Sequence, residues 1–119
     1  MALGSSDVTL LEMTTAYAAV AANGNEVRPY AITRIATANG DVLYERETAN
    51  PRILVAPYVA AKMTDLLKAA VETGTGRAAQ IGRPLAGKTG TTSSNKDGWF
   101  LGFTSELTTG VWMGRDDAR

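Results

Sequence analysis

No cysteine and no histidine occur in the 119 residues. Without cysteine there is no disulfide, no thiol nucleophile and no thiolate metal site. Without histidine there is no Ser-His-Asp triad, no Cys-His pair and no imidazole-bound zinc. A carboxylate-held metal would need clustered acids, and no such cluster stands out, so no metal or other cofactor is expected. Acid–base chemistry falls to Lys, Asp, Glu or Tyr. A surplus of either charge is missing too, since 12 Lys and Arg stand against 12 Asp and Glu. With no basic excess to neutralise a phosphate backbone, nucleic acid is not an expected partner. No apolar run approaches the roughly 18 residues that span a bilayer. Met1-Ala2-Leu3-Gly4 leads into a polar stretch rather than a signal peptide. No membrane contact is expected from this segment, and any anchor would lie outside it.

What is present is globular in character: 45% hydrophobic and 20% charged residues, enough for one domain with an ordinary core. Thr9 and Glu12 have capping-box spacing, and Leu10, Met13, Tyr17 and Val20 follow at helical intervals. They predict a helix from about Thr9 to Ala22, closed by Asn23-Gly24. From Pro29 to Glu47 the period changes. Ile32, Thr33, Ile35 and Thr37 form one β-branched run, and Val42, Leu43 and Tyr44 a second. Asn39-Gly40 between them predicts a hairpin, because both residues tolerate positive φ. Pro57 then opens a second helix, whose stripe is Val59, Met63, Leu66, Leu67, Ala70 and Val71 and whose C-cap is Gly74. Three strands are predicted after it, over roughly Pro84 to Thr92, Trp99 to Thr104 and Thr109 to Arg115. Their short connections suit antiparallel neighbours. The predicted class is α+β, with helices packed on a three-stranded antiparallel sheet and a separate hairpin.

Three motif patterns overlap in fifteen residues. Gly82 to Thr89 matches the phosphate-loop pattern G-x-x-x-x-G-K-[ST]. That loop needs a buried strand before it and a helix after it. Gly90-Thr91-Thr92-Ser93-Ser94-Asn95 starts a helix poorly, and Arg77 to Ile81 is no hydrophobic strand. The match is out of context. Ser93-Ser94-Asn95-Lys96 satisfies both S-x-x-K and S-x-N. S-x-x-K works when one helical turn brings the amine beside the hydroxyl, whereas this copy sits in residues that favour a turn. The third pattern is Lys88-Thr89-Gly90 on an extended segment. Gly90 lets a substrate backbone approach, while Lys88, Thr89 and Thr91 offer an ammonium and hydroxyls to a carboxylate. The Thr91 N–H is a candidate oxyanion-hole donor. By themselves these residues also read as an ordinary Thr-rich strand. Trp99, Phe100, Phe103 and Trp112 fall on the same sheet and read first as packing residues. Asp116 and Asp117 follow directly on the last predicted strand, and neighbours in an extended chain point to opposite faces, so they are poorly placed as an acid–base pair.

Longer stretches agree with the third pattern. Gly87-Lys88-Thr89-Gly90-Thr91-Thr92, Asp97-Gly98-Trp99-Phe100-Leu101-Gly102 and Gly110-Val111-Trp112-Met113-Gly114 resemble the K-T-G region of class A, bifunctional penicillin-binding proteins. Val8-Thr9-Leu10-Leu11-Glu12-Met13, Asn23-Gly24, Pro29-Tyr30 and Gly74-Thr75-Gly76-Arg77-Ala78-Ala79 are similar to the same family, in order along nearly the whole chain. The resemblance implies the penicillin-binding and β-lactamase-like transpeptidase fold, serine-type D,D-transpeptidation of peptidoglycan stem peptides, and acylation by β-lactams. It implies that Lys88 is catalytic and that Thr89, Gly90 and Thr91 bind substrate. It also implies an extracytoplasmic location for a membrane-anchored parent. In that family the S-x-x-K and S-x-N segments precede K-T-G, and neither occurs between Met1 and Gly87. Residues 1–119 are therefore expected to form the C-terminal part of a transpeptidase domain, inactive alone and prone to self-association through faces left bare. A D,D-carboxypeptidase or serine β-lactamase-like fragment is the related alternative, and a nucleotide binder the distant one.

Overall fold

The structure, a computed structural model, describes residues 6–48, 50–92 and 97–116. The Ser93 to Lys96 turn, the Met1 to Gly4 stretch and Asp117 lie outside the described residues. Helix α1 spans Leu10–Ala21 and begins as its capping box requires. The Glu12 N–H donates to Thr9 Oγ1 at 3.1 Å, and the Thr9 N–H donates to Glu12 Oε1 at 3.0 Å. The Glu12 carboxyl is held below its ordinary pKa first by the Thr9 N–H and then by the Thr9 hydroxyl. The helix ends where Asn23 and Gly24 turn left-handed, at φ 61° and 90°.

Strands β1 (Arg34–Ala36) and β2 (Val42–Glu45) make the predicted antiparallel hairpin. Its turn differs from the expected one. Only Gly40 has a positive φ, and the loop is three residues long. Gly40 N–H donates to Thr37 O at 3.0 Å and Thr37 N–H to Asp41 O at 2.8 Å. The reason is Thr37, whose hydroxyl accepts from the Asp41 N–H at 3.1 Å and so supports the longer turn. At the hairpin's base the chain is clasped. The Gly24 carbonyl accepts from the Leu54 and Val55 amides at 2.8 and 3.2 Å, and Glu26 N–H donates to Arg52 O at 2.7 Å. Arg28 and Arg52 reach the Glu26 carboxylate at 3.2 and 3.4 Å.

Helix α2 spans Pro57–Glu72, with Pro57 at its first turn. Its cap is Thr73, whose N–H donates to Ala69 O at 2.9 Å, rather than the expected Gly74. Gly74 is not left-handed; its missing side chain lets the chain turn back over the helix, where a Cβ would stand 2.9 Å from Ala70 O. The expected stripe is also corrected. Ala60, Leu67 and Val71 are buried, while Val59, Met63 and Leu66 are exposed. The apolar arc of α2 is wider than the sheet it rests on, and only one side of it is covered.

Strands β3 (Ala86–Thr91), β4 (Gly98–Phe103) and β5 (Thr108–Met113) form an antiparallel sheet in that order. Register places Ala86, Lys88 and Gly90 opposite Phe103, Leu101 and Trp99, and those three opposite Thr108, Gly110 and Trp112. Directly opposed residues share a face, and this face carries both helices. Leu67 packs with Ala86 and Phe103, and Tyr17 and Val20 of α1 close over them. Burial pushes the Tyr17 phenol up from its ordinary pKa. Gly110 admits α1 to the sheet: a Cβ there would collide with Thr14 Oγ1 and approach Leu10 Cδ1 to 3.0 Å. The opposite face is bare among the described residues, with Val111 and Met113 exposed and Phe100 lying over Gly87 and Gly102. The radius of gyration is 17.3 Å, well above the ~13.5 Å of a compact chain of this length. The molecule holds more apolar surface than it covers.

Candidate functional site

β3 is an edge strand with a polar sequence, and its polar groups are aimed by the ladder. Thr92 N–H donates inward to Asp97 O at 3.4 Å. Successive residues direct their N–H and C=O to opposite sides, so Gly87, Thr89 and Thr91 direct theirs outward, to the open edge. The expected Lys88, Thr89, Gly90 and Thr91 are thus consecutive on one exposed edge. Lys88 leaves the helix-bearing face and curls over that edge. Its Nζ donates to Thr89 O at 3.1 Å, to Thr89 Oγ1 at 3.3 Å and to Thr75 Oγ1 at 3.1 Å. Lys88 takes part in none of the ion pairs found among the described residues. Among the described residues, neutral oxygens hold its charge.

Thr75 was not singled out by sequence reasoning as a site residue. It also accepts from the Thr89 hydroxyl at 2.9 Å. Its signal in the sequence was its place between Gly74 and Gly76 directly after a helix, where the chain must turn closely. Gly90 is half-buried, and the nearest atom to a Cβ built there is Trp99 Cβ at 3.3 Å. An apolar groove of about 180 Å³ runs from Lys88, Thr89 and Gly90 to Met13, Tyr17 and Leu101. It shares Val8 and Trp99 with a larger groove of about 670 Å³ that Asp7, Asp97 and Trp112 also line. The packing reading of the aromatics therefore holds fully for Phe103, which is buried, while Trp99 and Trp112 wall a groove.

The phosphate-loop pattern is dismantled by this geometry. Lys88 and Thr89 sit in mid-strand, and β3 runs on through Thr91 where a helix would have to begin. Asp116 stands past the end of β5 rather than on it. No helix of the described residues is long and apolar enough to cross a membrane.

Known proteins resemble the chain along nearly its whole length. Residues 1–114 match the family model described as the penicillin-binding protein transpeptidase domain. Penicillin-binding protein 1A from Aquifex aeolicus is 42% identical over 117 residues, which cover 98% of this chain and 16% of that protein. The chain thus spans about a sixth of that relative's length. The solved penicillin-binding protein PonA1 from Mycobacterium tuberculosis superposes with a TM-score of 0.86 at 33% identity, covering 98% of this chain and 32% of its own. The PonA1 protein has also been solved in complex with penicillin V. Penicillin-binding protein 1A from Haemophilus influenzae superposes with a TM-score of 0.88 at 26% identity, over 98% of this chain and 23% of its own. With the K-T-G strand on its open edge, a family model matched along nearly its whole length, and relatives of both sequence and structure in one group, the chain belongs to the penicillin-binding protein transpeptidase domain family.

Proposed function

We propose that the open edge of β3 binds the C-terminal carboxylate of a D-alanyl-D-alanine stem peptide, or the carboxylate of a β-lactam, within a serine D,D-transpeptidase that cross-links peptidoglycan. The observation that carries this reading is Lys88: an ammonium on an exposed edge, held by three neutral oxygens and paired with no acid among the described residues. An anion arriving there meets an uncompensated charge with hydroxyls beside it, the arrangement that makes charge-assisted hydrogen bonds strong. The outward backbone groups of Thr89 and Thr91 suit an extended peptide, which adds to the edge as a further strand. Each outward N–H is a donor fixed by the sheet rather than by a mobile side chain. The Thr91 N–H in the oxyanion hole would stabilise charge as it develops on the attacked carbonyl. Lys88, Thr89 and Thr91 then hold the carboxylate, and Gly90 keeps the approach open.

The serine that attacks is not supplied by Lys88 to Thr91, and the S-x-x-K pattern of Ser93 to Lys96 follows K-T-G, where the family has its own before it. The chain by itself is therefore inactive in this reading. Its place is on the outer side of the cytoplasmic membrane, with the parent protein held there by a segment outside these residues. The test is complementation. This chain, mixed with the remaining portion of a class A transpeptidase domain, is labelled with fluorescent penicillin and analysed by intact mass. Covalent labelling that needs both parts and is lost on Lys88→Ala supports the proposal. Its absence from a demonstrably folded mixture, or an adduct formed by this chain alone, overturns it.

A further inference from the structure

Thr75 lies outside β3 and yet touches both polar side chains of its edge. An ammonium has three N–H bonds to give, and the three oxygens around Lys88 Nζ are not equivalent. Two belong to Thr89, the next residue along. Only Thr75 Oγ1 comes from another part of the chain. A four-carbon stem satisfies contacts to its own neighbour in several rotamers, whereas a contact from outside the strand selects one. The same Thr75 oxygen accepts from the Thr89 hydroxyl, so one atom orients both groups.

The loop that carries Thr75 is anchored on every side. Gly76 N–H donates to Ala70 O at 2.9 Å. The side-chain amide of Gln80 donates to Val71 O at 3.0 Å and Glu72 O at 3.2 Å, occupying helix carbonyls that would otherwise lack a partner. Gly74 and Gly76 both press on Ala70, where a side chain at either would crowd its carbonyl at 2.9 and 3.2 Å. Between two glycines fixed this way, the Thr75 hydroxyl is delivered to a constant place.

We propose that Thr75 is a positioning residue for carboxylate recognition, holding the Lys88 ammonium and the Thr89 hydroxyl on the open edge. When a carboxylate arrives, Lys88 gives up its two contacts to Thr89 and keeps the one to Thr75, which acts as the pivot. This rests on the reading that the edge binds a carboxylate.

The experiment uses the 119-residue chain, its Thr75→Val and Thr75→Ser variants, and an acyl-D-alanyl-D-alanine peptide titrated by amide NMR. The Lys88 ammonium resonance is recorded with and without peptide. Urea midpoints and amide spectra establish that each variant is folded. Thr75→Val is expected to bind about tenfold more weakly, the loss of one hydrogen bond to a charged group. It is also expected to lose the ordered ammonium resonance, and Thr75→Ser to restore both. Equal binding by Thr75→Val and the parent chain overturns the positioning role and leaves the carboxylate reading standing. If the unmodified chain binds no peptide, the edge by itself does not hold the carboxylate, and the complementation test decides that reading for the complete domain. The ammonium resonance alone then decides for Thr75: persistence in Thr75→Val refutes the role, and loss restored by Thr75→Ser upholds it.

Discussion

Leu66 and Leu67 are adjacent on α2 and identical in chemistry, and the fold treats them oppositely. Leu67 is 8% exposed and packs on Ala86 and Phe103, whereas Leu66 is 66% exposed. Truncation to alanine removes about three methylene equivalents, or about 2.4 kcal/mol of transfer free energy when the side chain is fully buried. Leu67 realises nearly all of that and leaves a cavity besides, so Leu67→Ala is expected to cost about 3 kcal/mol. Leu66 retains about a third of its burial, and alanine is a slightly better helix former. Leu66→Ala is thus expected to cost less than about 0.8 kcal/mol. The assay is urea unfolding followed by far-ultraviolet circular dichroism, with midpoints compared at equal slope. Equal costs at the two positions would refute the placement of α2. If Leu66→Ala becomes costly only as protein concentration rises, and light scattering shows dimers, the bare side of α2 is covered by a second copy.

Two further outcomes follow from the docking of α1. Gly110→Ala puts a Cβ against Thr14 Oγ1, which is already committed to Leu10 O at 2.7 Å. It should cost about 1–3 kcal/mol as the helix is pushed off the sheet, and an unchanged urea midpoint would show that α1 does not rest there. The Glu12 carboxyl has a lowered pKa in the folded state. Its contribution is therefore present above the ordinary glutamate pKa and is lost as pH falls through the lowered value. Glu12→Gln should flatten that acid limb of the stability–pH curve, and an unaltered limb would mean that the carboxylate does not hold the cap.

Much of this was legible in the sequence because local chemistry carried it. The Thr9–Glu12 box is a contact between residues three apart, and the strands around Lys88, Trp99 and Val111 differ from their predicted bounds only at the ends. The strand that carries Lys88, Thr89, Gly90 and Thr91 was legible as well, since an extended segment is read from adjacent residues. What escaped was decided elsewhere in the chain. Periodicity identifies an apolar arc on α2 and is blind to which part of it the sheet will meet, so Val59, Met63 and Leu66 looked equivalent to Leu67 and Val71, and the buried Ala60 was left off the stripe. Thr75 escaped for the same reason. Thirteen residues separate it from Lys88, and only the turn of Gly74-Thr75-Gly76 over α2 makes them neighbours.

The clasp at the base of the β1–β2 hairpin makes that excursion a handle. The chain departs at Gly24 and returns at Val55, where the Gly24 carbonyl takes the Leu54 and Val55 amides beside the Glu26–Arg52 bond. Gly24 cannot be exchanged there, because a side chain would run into the Val55 carbonyl. Beyond the clasp, the hairpin strands and the tip at Gly40 are exposed, with nothing within 4 Å of a Cβ added at Gly40. Each doubling of such a loop adds only about 0.6 kcal/mol of closure entropy. A fluorophore, an affinity tag or a spacer grafted at the tip would therefore ride outside the clasp, leaving α1, α2 and the edge of β3 in register.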